Sequence, residues 1–313
     1  MGNEKHIFVV NPMAGKRSCE EEIEDFVKKY QGRGVQCDCF VTLEKGEGEL
    51  FVRQSCYKAA RKNEFIFFYA CGGDGTLNEV VNGVMASGET ERVAVTHIPR
   101  GSGNDFIKYF DHPERFSKLE NFMKNEIVKQ KVDVIKVNQR YCLNICSAGL
   151  DARIGTNIDQ FRRHWWLSGK KAYLASAVSN ILQGINKTIT ITYQSRKGTL
   201  ISTTAERAMV CVANGAFYGG SFHPVPEAKI DDGILDVLIV DGVQINEALP
   251  MLLAYKNGNY WKYPDKIHHV QVKKLRIRTP KPEPLNIDGE ALVTEDAEIE
   301  ILASKLTFFY PLL

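Results

Sequence analysis

The sequence predicts an α/β domain followed by a β-rich domain.

 Three observations carry that prediction. Strand-like apolar runs alternate with helix-spaced segments through residues 1–130, strand-like segments dominate residues 131–303, and the pattern changes just after Phe110-Asp-His-Pro113. A length of 313 residues is enough for two domains, each with its own core.

The first half reads as strand, helix, strand, helix. His6–Val10, Val35–Thr42, Phe65–Ala70 and Val93–Ile98 are the strand-like runs. Between them Ser18–Tyr30, Glu47–Lys62 and Leu77–Ala86 carry apolar residues at helical spacing, and Ser18 with Glu21 three residues later resembles a capping box. Such alternation argues for a parallel sheet flanked by helices, with ligand loops at the carboxyl ends of the strands. In the second half the strand-like segments are Val132–Val137, Tyr141–Cys146, Thr188–Tyr193, Ala208–Ala213, Leu235–Val240, Val270–Ile277 and Glu298–Ile301. One helical stretch, Ala172–Gln183, interrupts them, and short strands with few helices point to a sandwich. Residues 304–313 are candidates to pack back on the first domain.

Charge and composition exclude several classes. Forty Lys and Arg against 38 Asp and Glu leave a formal charge of +2, with no basic block of the kind that binds nucleic acid. Met1-Gly-Asn-Glu-Lys-His6 leads straight into the first strand without an apolar signal core, and no segment reaches the ~20 uncharged apolar residues of a transmembrane helix. His6 stands where a myristoylation signal needs Ser or Thr. These features read as a cytoplasmic chain. The eight cysteines form no C-x-x-C pair and several sit in apolar runs, so they are expected to be reduced and mostly buried.

Three glycine-bearing loops follow predicted strands of the first half: Asn11-Pro-Met-Ala-Gly-Lys16, Gly72-Gly-Asp-Gly-Thr76 and Pro99-Arg-Gly-Ser-Gly-Asn-Asp105. The first lacks the upstream Gly and the Ser or Thr directly after Lys of a P-loop. The third lacks the last glycine of the dinucleotide fingerprint. The middle loop is the most specific. Successive glycines admit phosphate close to the backbone, and the helix that follows adds unsatisfied N–H groups and a positive dipole end. Asp74 would repel phosphate by itself, so it implies a nearby cation or hydrogen-bond network. A tight βα turn capped by Asp74 or Thr76 would use the same residues, but three such loops on one sheet edge argue for a site.

Together these loops resemble the motif set of the diacylglycerol kinase catalytic-domain family, which includes bacterial soluble lipid kinases and, more distantly, sphingosine and ceramide kinases. The resemblance rests on Asn11-Pro12-x-Ala14-Gly15, Gly72 to Asn78, Pro99-x-Gly-Ser-Gly-Asn-Asp105, Ala228-Lys-Ile-Asp-Asp-Gly-Ile-Leu-Asp236 and Asn286-Ile-Asp-Gly-Glu290, and spans essentially the whole chain. It implies an α/β nucleotide-binding domain, a β-sandwich domain and an active site in the cleft between them. By position, Asn11, Pro12, Met13, Ala14, Gly15, Thr42, Gly72, Gly73, Asp74, Gly75, Thr76, Leu77, Asn78 and Ser102 would contact ATP. Asp232, with the main chain of Lys229 and Ile234, would hold a structural Mg²⁺. Asp74, Asp105 and Asp232 would share a network of water and metal joining the domains. Asp288 or Glu290 would carry the general base, with Glu290 favoured. Many bacterial members read Gly-Thr-Ala-Asn-Asp where this chain has Gly101-Ser-Gly-Asn-Asp105, a form closer to sphingoid-type kinases, which leaves the acceptor lipid open.

The residues of the last motif also make chemical sense alone. A carboxylate beside a glycine, on a turn after Pro282-Glu-Pro284, can accept a hydroxyl proton, although Asp-Gly is equally a hairpin signal. Phe161–Tyr173 places Trp165 and Trp166 among four basic residues, which suits an anionic membrane interface or packing between domains. His268-His269 has no third ligand nearby in sequence and is expected to be exposed rather than metal-binding. The resulting expectation is an ATP- and Mg²⁺-dependent kinase of a lipid hydroxyl, such as that of diacylglycerol, taking its substrate peripherally from the membrane surface. An NAD kinase and a non-catalytic nucleotide-binding protein are the competing readings. The sequence does not fix the oligomeric state, and a homodimer stays open.

Overall fold

A computed structural model describes residues 4–15, 19–124, 126–153, 184–220 and 222–312. The chain divides into two compact units, Met1–Val134 with Ala303–Leu313 and Ile135–Leu302. The first is α/β and the second β-rich, the fold class read from the sequence.

Unit 1 is built from β1 (Glu4–Val10), α1 (Glu20–Gln31), β2 (Cys37–Val41), α2 (Glu47–Lys62), β3 (Phe65–Gly72), α3 (Asp74–Ser87), β4 (Val93–Pro99) and a short α4 (Asn121–Lys124). All sheet pairings among these strands are parallel, in the order β2-β1-β3-β4, and Thr307–Phe308 adds a parallel pairing beyond β4. β3 is buried along nearly its whole length because Phe65-Ile-Phe-Phe-Tyr-Ala-Cys offers apolar side chains to both faces. Such a strand needs cover on both sides, which crossover helices provide. The helix α1 buries Ile23, Phe26, Val27 and Tyr30, a single stripe at helical spacing. Its N-cap is Cys19 rather than Ser18, so the expected capping box does not define its start. The helix α2 has the expected bounds, set by Gly46 and Asn63, both at positive φ. The helix α3 starts at Asp74, three residues before the expected Leu77, so the glycine loop runs directly into its first turn.

Aromatic rings fill the core of unit 1. Phe8 stacks on Tyr69 with centroids 4.2 Å apart, and Phe309 meets Phe67 and Tyr69 edge-on at 5.1 Å. Phe308 stacks on Phe110 at 5.2 Å, so residues from the end of the chain complete this core.

Unit 2 contains the end of β5 (Ile127–Val137), β6 (Arg140–Cys142), β7 (Ile145–Gly149), β8 (Lys187–Gln194), β9 (Leu200–Ala213), β10 (Leu235–Asp241), α5 (Ile245–Lys256), β11 (Ile267–Val272), β12 (Lys274–Ile287) and most of β13 (Glu290–Pro311). Its pairings are antiparallel, in the order β11-β10-β9-β7-β12-β13. The long β9 pairs with β7 through Met209–Ala213 and with β8 through Leu200–Arg207, and β12 also pairs with both. Alternation along β9 and β10 feeds two cores. Val210, Val212, Val237 and Ile239 join one cluster, while Cys211, Ala213, Leu238 and Val240 join another that includes Met251 and Tyr255 of α5.

The sequence-based elements need several corrections here. Tyr141–Cys146 is two strands, β6 and β7, and Val270–Ile277 spans the junction of β11 and β12. The helix α5 was not expected. Its hydrophobicity extends around much of the helix and Pro250 lies inside it, which hides the 3.6-residue period. Lys16, Arg17, Ser18, the Trp165–Trp166 segment and the expected helix Ala172–Gln183 lie outside the described residues.

All eight cysteines are free; seven are buried and Cys39 is half-buried. Burial pushes their thiols above the ordinary range, Cys37, Cys39 and Cys56 to about 11. Among the described residues no helix is long and apolar enough to cross a membrane.

Candidate functional site

The order β2-β1-β3-β4 places the topological switch between β1 and β3, where loops leaving adjacent strands diverge and leave room for a ligand. Asn11 follows β1. Its N–H donates to Cys71 O at 3.0 Å, and its side-chain oxygen accepts the Met13 N–H at 2.9 Å, folding the loop on itself. Thr42 follows β2 and reaches the same place: its N–H and hydroxyl both donate to Val10 O, at 2.8 and 3.2 Å.

The three glycine loops are packed against one another so closely that side chains would not fit. A Cβ on Gly15 would lie 2.4 Å from Arg100 O, and one on Gly101 would lie 2.5 Å from Gly73 Cα. A Cβ on Gly72 would lie 2.1 Å from the Thr76 hydroxyl. The Gly72 carbonyl accepts the N–H groups of Arg100 and Gly101 at 2.8 and 3.2 Å, together with His97 Nε2 at 3.0 Å. These close approaches explain the glycines independently of any ligand. They also fix three loops as one surface around the first turn of α3, where Thr76 N–H donates to Gly73 O at 3.1 Å and the residues before it precede the first turn's carbonyl acceptors.

Asp74 holds that surface together. Its Oδ1 accepts the Asp105 N–H at 2.6 Å and its Oδ2 accepts the Asn104 N–H at 2.8 Å. Gly103 is required beside it, because a Cβ there would lie 2.4 Å from Asp74 Oδ2. The link from Asp74 to Asp105 thus runs through a backbone amide, while the Asp105 carboxylate pairs with Lys108 Nζ at 2.6 Å. Asn104, at φ 50°, closes the loop by exchanging side-chain hydrogen bonds with Gly101 N–H and O at 3.1 and 2.8 Å. Thr76, Leu77 and Asn78 are buried on α3, whereas Gly75 and Ser102 are exposed. Pro12, Met13 and Ala14 form the turn after β1, with Met13 strongly exposed.

His97 was not singled out in the sequence. It is fully buried, and loss of solvation lowers its pKa, so the ring is neutral and Nε2 donates to Gly72 O. Only its place inside an apolar strand, Val93–Pro99, signalled a histidine with a structural partner.

In unit 2 the five-residue stretch from Ile230 to Ile234 turns sharply, with Gly233 at φ 70° and Asp232 Oδ1 accepting the Ile234 N–H at 3.0 Å. The Asp232 carboxylate and main-chain carbonyls such as those of Lys229 and Ile234 are oxygen donors, the ligand type Mg²⁺ takes, so the residues of this turn fit the ion by chemistry. Among the described residues no group of three or more His, Cys, Asp or Glu side chains is placed to hold a metal. His268 is exposed, as expected, and pairs with Asp241 at 2.9 Å, whereas His269 is half-buried between Asp236 at 2.7 Å, the Tyr260 hydroxyl at 3.2 Å and Glu227 at 3.7 Å.

Asp288 and Gly289 form the two-residue turn between β12 and β13, with φ of 50° and 95° and Ile287 paired to Glu290 across it. Positive φ at both turn residues favours Asp-Gly. The Asp288 carboxylate leaves the turn and accepts three backbone N–H groups, from Leu143 at 2.7 Å, Ile145 at 2.9 Å and Asn144 at 3.1 Å. The Asp288 N–H donates to Ile145 O at 3.1 Å, and Gly289 N–H donates to the Asn286 side chain at 2.7 Å. This lattice fixes the backbone from which Glu290, half-buried, opens β13.

Comparison with known proteins covers the whole arrangement. Residues 5–137 match the model of the diacylglycerol kinase catalytic domain, and residues 144–310 match that of the YegS C-terminal NAD kinase beta sandwich-like domain. A protein named as a putative lipid kinase from Staphylococcus haemolyticus is 29% identical over 269 residues, 85% of this chain and 83% of its own length. Another so named, from Staphylococcus aureus strain MSSA476, is 26% identical over 270 residues, 85% of this chain and 84% of its own. A crystal structure described as a putative diacylglycerol kinase from Bacillus anthracis superposes with a TM-score of 0.71 at 26% identity, covering 98% of this chain and 96% of the other. With both domain models matched in order, the chain belongs to the diacylglycerol kinase-like family of lipid kinases.

Proposed function

We propose that this protein is an ATP- and Mg²⁺-dependent lipid kinase that phosphorylates a free hydroxyl of a lipid such as diacylglycerol. The observation that carries the proposal is the single surface made by the Asn11–Gly15, Gly72–Thr76 and Arg100–Asp105 loops at the carboxyl edge of a parallel sheet. Glycine there leaves backbone N–H groups accessible to phosphate oxygens, and the first turn of α3 adds its positive end. Phosphoryl transfer depends mainly on positioning and charge stabilisation, which such a surface provides.

In this reading Asn11 to Gly15, Thr42, Gly72 to Asn78 and Ser102 bind the nucleotide. Thr76, Leu77 and Asn78 are buried, so in this reading their side chains support the loop and the backbone and the exposed Ser102 meet the ligand. Asp74 and Asp105 organise the loops, and Asp232 with the Lys229 and Ile234 carbonyls would hold a structural Mg²⁺ that fixes their turn. Glu290 is the general base. It takes the acceptor hydroxyl's proton as that oxygen bonds to the γ-phosphorus, and the bond from phosphorus to the β–γ bridging oxygen breaks to release ADP. Asp288 serves as an anchor rather than the base, because its oxygens are committed to three amides.

The test is incubation of the purified protein with labelled ATP, with and without Mg²⁺, against diacylglycerol, sphingosine, ceramide and NAD. Mg²⁺-dependent labelling of a lipid supports the proposal. Labelling of NAD alone replaces it with an NAD kinase, and nucleotide binding without transfer to any acceptor replaces it with a non-catalytic binding protein.

A further inference from the structure

Glu79 lies in the second turn of α3, one residue beyond the glycine-loop motif, and its carboxylate points away from that loop toward the start of α2. Oε1 accepts the Gly46 N–H at 2.9 Å and Oε2 accepts the Gly48 N–H at 3.1 Å. Gly46 is the N-cap of α2 and no side chain of its own caps that helix, so a carboxylate from a neighbouring helix satisfies two of its first N–H groups. The placement also sets a negative charge at a positive helix end. Space at this point is closed: a Cβ on Gly48 would lie 2.6 Å from Glu79 Oε2 and 3.5 Å from Thr42 Cγ2. A second close approach fixes the same pair of helices, because a Cβ on Gly83 would lie 2.6 Å from Glu49 O.

The segment held in this way is Thr42–Gly48. Inside it, Glu47 Oε2 accepts the N–H groups of Leu43 and Glu44 at 2.7 and 3.2 Å. At its front Thr42 donates twice to Val10 O, one residue before Asn11. One helix, α3, therefore starts at the glycine loop and, one turn later, grips the turn that carries Thr42. We propose that Glu79 is a positioning residue for the nucleotide: through Gly46 and Gly48 it holds Thr42 in register with the Asn11 and Gly72 loops. This inference rests on the assignment of unit 1 as the ATP-binding domain.

The experiment measures ATP affinity by calorimetry, together with KM for ATP, KM for the lipid and kcat, in the wild type, Glu79→Ala, Glu79→Gln and Gly48→Ala. Gly48→Ala disturbs the same contact while leaving Glu79 in place and raises intrinsic helix propensity, which guards against a result caused by misfolding. Glu79→Ala and Gly48→Ala are expected to weaken ATP binding and raise its KM about tenfold, with lipid KM and kcat within about twofold; a tenfold change corresponds to ~1.4 kcal/mol. Glu79→Gln keeps one acceptor oxygen and is expected to recover part of the loss. ATP affinity unchanged in both Glu79→Ala and Gly48→Ala overturns the inference. So does a fall in kcat that follows loss of thermal stability while KM for ATP stays constant, since that marks a structural role only. No ATP affinity in the wild type overturns the assignment of unit 1 itself, and the inference with it.

Discussion

At the scale of single residues, the two carboxylates of Asp288-Gly289-Glu290 separate by their partners. Asp288 binds three amides of the Leu143–Ile145 loop, so its replacement loosens the turn as well as the chemistry. Glu290→Gln is expected to lower kcat at least 10²-fold while ATP affinity and thermal stability stay near wild type, as loss of a positioned base does. Asp288→Asn is expected to cost stability, by about 2 kcal/mol from weakened charge-assisted hydrogen bonds, with activity falling alongside. Thermal melts and steady-state kinetics on both variants check the division; full activity in Glu290→Gln removes it from the role of base. Gly103→Ala tests the Asp74 clamp. Its Cβ would lie 2.4 Å from Asp74 Oδ2, so the Asn104 and Asp105 amides are displaced and calorimetry should record weaker ATP binding, by about tenfold or more.

At the scale of elements, the β1–β3 pair carries a pH dependence. His6 stacks on Phe67 with centroids 4.9 Å apart, and its Nδ1 lies 2.8 Å from the Tyr69 hydroxyl. Burial, and then the nearby Lys129 charge, lower its pKa to about 4 from 6.5. The unfolded chain therefore binds the proton more readily than the folded one. This contribution to stability is complete above pH 6.5, falls as pH drops from there toward 4, and levels off below, for a total of about 3 kcal/mol. His97, lowered in the same direction by burial, adds to the loss. Urea unfolding at pH 7.5 and 4.5 should show a smaller difference for His6→Phe than for the wild type; equal differences would remove His6 as a source. The sequence made these elements legible to different degrees. Apolar runs marked β1, β3 and β4, unbroken in β3, because strands buried on both faces leave no polar alternation to confuse the reading. The lengths of β12 and β13 were hidden by their charges, since Arg276 and Arg278 pair across the strands with Asp296 on a solvated face. The glycine loops were legible as a set. Their mutual clamps were not, because the amide bonds of Asp74 and of Glu79 join residues about thirty positions apart.

At the scale of the whole molecule, β13 makes unit 1 depend on residues that no sequence motif marks. The strand begins at Glu290 in unit 2, and from Ala303 onward its residues belong to unit 1. There Leu306, Phe308 and Phe309 are fully buried, Thr307–Phe308 pairs with β4, and Ser304 N–H donates to Asp133 at 2.6 Å. Phe309 packs on Phe67, Tyr69 and Phe122, and Phe308 on Phe106 and Phe110. Replacing either phenylalanine by alanine should cost about 3–5 kcal/mol, a large part of the 5–15 kcal/mol that holds a typical domain folded. Removing Ala303–Leu313 takes away both rings and the strand pairing at once, a loss larger than that margin. The truncated chain keeps every residue assigned to nucleotide, Mg²⁺ or proton transfer, yet it should bind no ATP in calorimetry and should lose the near-ultraviolet circular dichroism of the unit 1 aromatics. Retained ATP affinity in that chain would show that the parallel sheet of unit 1 closes without its last strand.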